Sequence, residues 1–204
     1  PFFLWTPDRP RTGVPMAQAA REGLAELRRL LRDIRQYGTV VRFLLARMFY
    51  TDGLVTLFAF GGIYAAGTFG MSFAEIIQFG IAMNVTAGLG AFLFAWVDDW
   101  IGPKRTILIT LVFLIGFGIP VLLVESVTWF WILALTLGLF VGPAQAAGRS
   151  LMARLAPVGK EAEMFGLFAL SGKATAWAGP MLLGWATFAF DSQRAGMATI
   201  LAFF

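Results

Sequence analysis

Long apolar stretches alternate with short polar joints along most of this chain. Five runs stand out, at Phe43–Ala66, Phe73–Trp96, Thr106–Val124, Trp129–Ala147 and Met164–Phe188, and a sixth begins near Ala195. Each is close to the roughly 20 residues that a helix needs to cross about 30 Å of hydrocarbon. The joints hold turn and breaker residues: Gly67 and Gly70, then Gly102 with Pro103, then Pro157 and Gly159. Only residues 7–38 form a long polar region. Within it, Pro15 to Tyr37 follows a helical period, in which Leu24, Leu27, Leu30, Leu31 and Ile34 share one arc. Arg21, Arg28, Arg32 and Arg35 lie beside that arc, and Glu22, Glu26 and Asp33 form a third. Such a helix suits an anionic membrane surface, its arginines reaching the phosphates. It equally suits a linker helix packed on its own protein. The pattern predicts an all-α membrane protein, with an N-terminal amphipathic surface helix, five complete transmembrane helices and the start of a sixth.

Composition agrees. Hydrophobic residues make up 58% of the 204 and charged residues 14%, against roughly 45–50% and 25% in soluble domains. The 23 glycines, 21 phenylalanines and 7 tryptophans suit closely packed spans with interfacial aromatic anchors. With no Cys and no His, a disulfide framework, thiol catalysis, His-ligated metals and a histidine base are excluded. No cofactor, no metal and no nucleic-acid partner is expected; the lipid bilayer is. The chain opens on Pro1 and ends in "ATILAFF", so both ends read as cut. Residues 1–38 are expected to hold the end of a preceding span, a central cytoplasmic loop and the amphipathic helix. Residues 39–204 are expected to form a truncated C-terminal transmembrane bundle.

Lys and Arg orient it. Nine of the sixteen lie between Arg9 and Arg47; Lys104 and Arg105 follow the second run, and Arg149, Arg154 and Lys160 follow the fourth. The alternate joints hold none, apart from Arg194 near Asp191. The positive-inside rule then puts residues 7–38 and the joint at 98–105 in the cytoplasm, of a bacterial inner membrane.

That joint, "VDDWIGPKR", carries four charges in nine residues. It resembles the signature loop of the major facilitator superfamily, Gly-x-x-x-Asp-Arg/Lys-x-Gly-x-Lys/Arg-Lys/Arg. Asp99, Gly102, Lys104 and Arg105 match; Ala95 and Trp100 depart from the pattern. The stretches Phe43–Leu57 (with "YTDG") and Val141–Pro180 (with "Q…RS", "GKEAEMFG" and "GP") are similar to the vacuole-effluxer-like branch of that superfamily. The resemblance implies a major-facilitator-type half: the central loop, spans seven to eleven and the start of twelve, with a six-span N-terminal half as partner. It also implies that Asp99 latches onto a helix N-terminus of that other half, leaving Asp98 as the solvated member of the pair.

Charges inside the runs mark candidate chemistry. Asp52 and Lys173 each lie nine residues into a run entered from the cytoplasm, about 14 Å deep at roughly 1.5 Å per residue. Ionisable groups at such depth are costly unless paired or hydrated, so the two are candidates for substrate or ion coupling, and for pairing if their helices are neighbours. A structural hydrogen bond by Asp52 is the alternative. Arg47, nearer the surface, reads as an anchor. Asn84 and Gln145 are either substrate contacts or interhelical glue, and Gly142-Pro143 and Gly179-Pro180 are kinks or close-packing points. The expected function is secondary active transport of a small polar solute, which by resemblance includes amino acids. The alternative is a non-transporting scaffold or assembly factor that partners a membrane complex. An enzyme is not expected: Asp98-Asp99 lacks a third carboxylate for a metal–diphosphate site, and no glycine-rich phosphate cradle is present.

Overall fold

A computed structural model of the chain describes residues 37–204. The amphipathic helix expected over Pro15–Tyr37 therefore lies, but for its last residue, outside the described residues. Residues Thr39–Phe204 form one compact unit. Its helices are α1 (Gly38–Phe69), α2 (Phe73–Ile101), α3 (Pro103–Leu123), α4 (Val127–Leu155), α5 (Glu161–Ala174), α6 (Ala178–Phe190) and α7 (Gln193–Leu201).

α1 to α4 are each long and apolar enough to cross a membrane. They overrun the apolar runs because charged residues just outside hydrocarbon remain helical: α2 continues through Asp98 and Asp99, and α4 through Arg149 and Arg154. Local chemistry sets the ends. Gly70 turns at φ 66°. Ser72 then opens α2 with a capping box, its hydroxyl accepting from Glu75 N at 3.4 Å while Glu75 Oε2 accepts from Ser72 N at 2.7 Å. Gly102, at φ 86°, closes α2 by donating to Asp98 O at 2.9 Å, and Pro103 starts α3 at a position where no N–H is needed.

α4 packs against both α2 and α3. Its contact with α2 is made through small residues. Gly138 and Gly142 on α4 face Thr86 and Ala87 on α2, where a side chain at Gly142 would collide with Ala87 O. A side chain at Gly90 would collide with Leu139 O. That carbonyl is the one Pro143, lacking an N–H, leaves without its helical partner. Small residues four apart are how membrane helices approach closely. At one end of the bundle Tyr64, Phe69, Phe79, Phe130 and Trp131 form an aromatic cluster, with Phe69 and Phe130 centroids 4.5 Å apart. The far side of α2 leaves Ile77, Ile81, Val85, Leu89, Phe92 and Trp96 exposed. A stripe of that length is a liability in water and a lipid-facing surface in a bilayer.

The fifth run differs from expectation. Met164–Phe188 is not one helix: α5 has 14 residues, α6 has 13, and Thr175–Trp177 lie between them. Pro180 permits the break, since its ring excludes the carbonyl of Ala176 from a continuous helix. The chain tightens instead, with Ala176 N donating to Lys173 O at 3.3 Å and Ala178 N to Thr175 O at 2.8 Å. Helical bonding resumes with Met181 N to Trp177 O at 3.1 Å.

Candidate functional site

Side chains of α1 hold both edges of this break. Asp52, near the midpoint of α1, is 1% exposed, and its Oδ2 accepts from Gly179 N at 2.9 Å. Gly179 is the second residue of α6, and an N–H there has no partner within its helix. A carboxylate at that end also meets the positive pole of the helix dipole. The fit requires glycine: a Cβ at Gly179 would collide with Thr56 Oγ1 and stand 3.1 Å from Asp52 Oδ1. Thr56 lies one turn beyond Asp52 on the same face and is fully buried; its hydroxyl and Asp52 Oδ1 make no hydrogen bond with any described residue.

One turn back along α1, Met48 O accepts from Thr175 Oγ1 at 3.0 Å. Arg47 Nη1 donates to Phe168 O at 2.6 Å and to Ser171 Oγ at 2.8 Å, and its guanidinium lies 3.5 Å above the Phe168 ring. A cation over an aromatic face, away from bulk water, is attractive. Arg47 thus grips α5, Asp52 grips α6, and the peptide between them is tied to α1 by Thr175. Arg47, Tyr50, Thr51, Leu54 and Val55 recur at helical spacing, and with Gln145 and Arg149 of α4 they line a cavity of about 90 Å³.

The other sequence candidates lie apart from this junction. Lys173 is exposed and makes no ion pair with Asp52: Ser171 and Gly172 are the residues turned toward Arg47, and one residue further along a helix turns away. Asn84 is exposed and spends its amide within its own helix, Nδ2 donating to Gly80 O at 2.8 Å. Gln145 joins Arg47 in the cavity. In the 98–105 loop Gly102 makes the turn, while Asp99, Lys104 and Arg105 are exposed. Asp98, expected to be the solvated acid, is the more buried of the two and has Oδ1 shielded without a partner. From the sequence Arg47 reads as an anchor and Arg149 as an orienting cation, Tyr50 enters only within "YTDG", and nothing marks Thr56. Thr56 sits four residues after Asp52, a spacing that places both on one face.

The family described as vacuole effluxer, Atg22-like, matches residues 1–204. A protein named as an uncharacterized MFS-type transporter, YxiO of Bacillus subtilis, is 26% identical over 173 residues, covering 85% of this chain and 39% of that protein. Autophagy-related protein 22 of Coccidioides immitis is 26% identical over 211 residues, with 90% and 35% covered. That of Candida glabrata is 28% identical over 166 residues, with 76% and 30% covered. The chain spans well under half the length of these relatives.

Proposed function

The chain belongs to the vacuole effluxer, Atg22-like, family, and on that premise we propose that it is part of a secondary transporter. The cargo is a small polar solute, amino acids among the candidates, and it crosses by alternating access. The observation that carries this reading is Asp52 on the first turn of α6. A buried carboxylate inside a span is expensive, and such groups mark transport pathways and relays. Discontinuous helices whose half-helix ends meet charged groups are a recurring device of transporters.

The mechanism follows from what holds the break. α6 is joined to α5 by three non-helical residues, and hydrogen bonds to α1 fix the angle between them. A proton or a cationic group that takes the Asp52 carboxylate competes with Gly179 N–H for it. Release of α6 is then linked to occupancy, because the ligand interacts differently with the held and released states. On this reading α5 and α6 are one broken span, which gives five spans and the start of a sixth in α7. Lys173 and Gln145 face a pathway completed by another six-span half. Asp99 latches onto that half from the cytoplasmic loop, and the membrane is the inner membrane of a bacterium.

The test is counterflow in proteoliposomes holding the full-length protein, with a labelled panel of amino acids, organic acids and sugars. At least one solute should exchange above empty liposomes, and Asp52→Asn should cut that exchange at least tenfold at equal protein incorporation. If no solute moves, or if Asp52→Asn exchanges at the wild-type rate, the reading fails.

A further inference from the structure

We infer that the cavity between α1 and α4 binds an oxyanion, a carboxylate or phosphate group, through Arg47 and Arg149. The transport reading supplies only the meaning of that anion as cargo; the binding site stands on its own geometry. Arg47 and Arg149 line one cavity of about 90 Å³, and among the described residues no Asp or Glu lines it with them. Like charges sharing a partly enclosed space repel, more strongly than in water. An anion between them removes that repulsion.

The polar groups around the cavity form a donor set. Arg149 is exposed and makes no hydrogen bond or ion pair with any described residue. Arg47 commits Nη1 to α5, which leaves its other N–H groups free. Tyr50 lines the same cavity and is 4% exposed, yet its hydroxyl has no partner among the described residues. Gly148 makes room for it, since a Cβ there would lie 2.8 Å from Tyr50 Oη. Gln145 adds an amide one turn before Arg149 on the same face of α4. Arginines have no acceptor, and a planar fork matches carboxylate or phosphate oxygens in pairs. A cavity of this size takes the anionic head, and the exposed Gln145 and Arg149 side leaves room for the rest of the molecule. Arg47 connects this site to the break: an oxyanion that draws its guanidinium from Phe168 O and Ser171 Oγ loosens α5 from α1.

The test is thermal unfolding of the full-length protein in neutral detergent, titrated with sodium acetate, succinate or phosphate at ionic strength held constant with sodium chloride. A separate arm adds phosphatidylglycerol or phosphatidylcholine to the micelles. A saturable rise in Tm is expected with at least one anion, and Arg149→Gln should raise the half-saturating concentration at least tenfold. Tyr50→Phe should raise it several-fold, and Arg149→Lys should fall between wild type and Arg149→Gln. A response to free anions assigns the site to a solute, and a response to phosphatidylglycerol alone assigns it to a lipid headgroup. No saturable rise, or one that Arg149→Gln leaves unchanged, overturns the site even in a protein that transports. An Arg149-dependent rise in a protein that exchanges no solute keeps the site and overturns the transport reading instead.

Discussion

Gly179→Ala is the smallest change that tests the junction between α1 and α6. The added methyl would collide with Thr56 Oγ1 and lie 3.1 Å from Asp52 Oδ1, in a region where Thr56 and Asp52 are 0% and 1% exposed. The collision forces α6 away from α1 and lengthens the 2.9 Å bond from Gly179 N to Asp52 Oδ2. Overpacking of this kind costs about 1–3 kcal/mol, and a hydrogen bond to a charged group contributes about 1.5–3 kcal/mol. The two losses overlap, since relieving one worsens the other, so we expect a net loss of about 2–4 kcal/mol. In the full-length protein that lowers Tm by several degrees. Thr56→Ala alone should change stability by less than about 1 kcal/mol, because the hydroxyl it removes has no partner. Combined with Gly179→Ala it clears the worst contact, and more than half of the lost Tm should return. The assay is thermal unfolding of the full-length protein in detergent for the four members of this cycle. Wild-type stability in Gly179→Ala, or a double variant no better than it, would refute the packing argument.

Three further outcomes follow from other contacts. Arg47→Lys keeps the charge but loses the planar fork and its stacking on Phe168, so it should cost about 1–2 kcal/mol, read as Tm. Gly142→Val should separate α2 from α4 at Ala87 O and cost about 2–3 kcal/mol; the same change at Gly184, where an added Cβ meets nothing within 4 Å, is the silent control. Ser72→Ala removes the capping box of α2 and should lower stability by about 1 kcal/mol, with faster amide exchange confined to the first turn of that helix.

The apolar pattern located the first four helices because hydrocarbon imposes a length that composition reveals, but it ended the fourth at Ala147 where α4 continues to Leu155. It missed the break at Thr175–Trp177 for a physical reason. Pro143 and Pro120 sit inside helices that continue, so Pro180 alone does not announce an interruption. What differs at Pro180 is a carboxylate from another helix, which takes the N–H that the break exposes, and that is tertiary information. Asp52 was legible as a costly charge, but its partner was not: equal depth pointed to Lys173, while the helical phase of Ser171 and Gly172 turns Lys173 outward. Arg47 reads as an anchor from depth alone, because its partners, Phe168 O and Ser171 Oγ, lie on α5 and only the fold brings them to it. Arg149 belongs to the site through its phase with Gln145 on α4, which matters only once α1 is known to lie opposite.

The central claim is that Asp52 holds the broken helix on α1 and that letting go moves α6. Spin labels at Phe58 on α1 and Met181 on α6, which are 38% and 64% exposed, report that separation by pulsed electron resonance in the full-length protein in nanodiscs. The account predicts one dominant distance in the wild type and a second, longer population in Asp52→Asn, together with lost solute counterflow. Distance distributions that superimpose in the two proteins would contradict it.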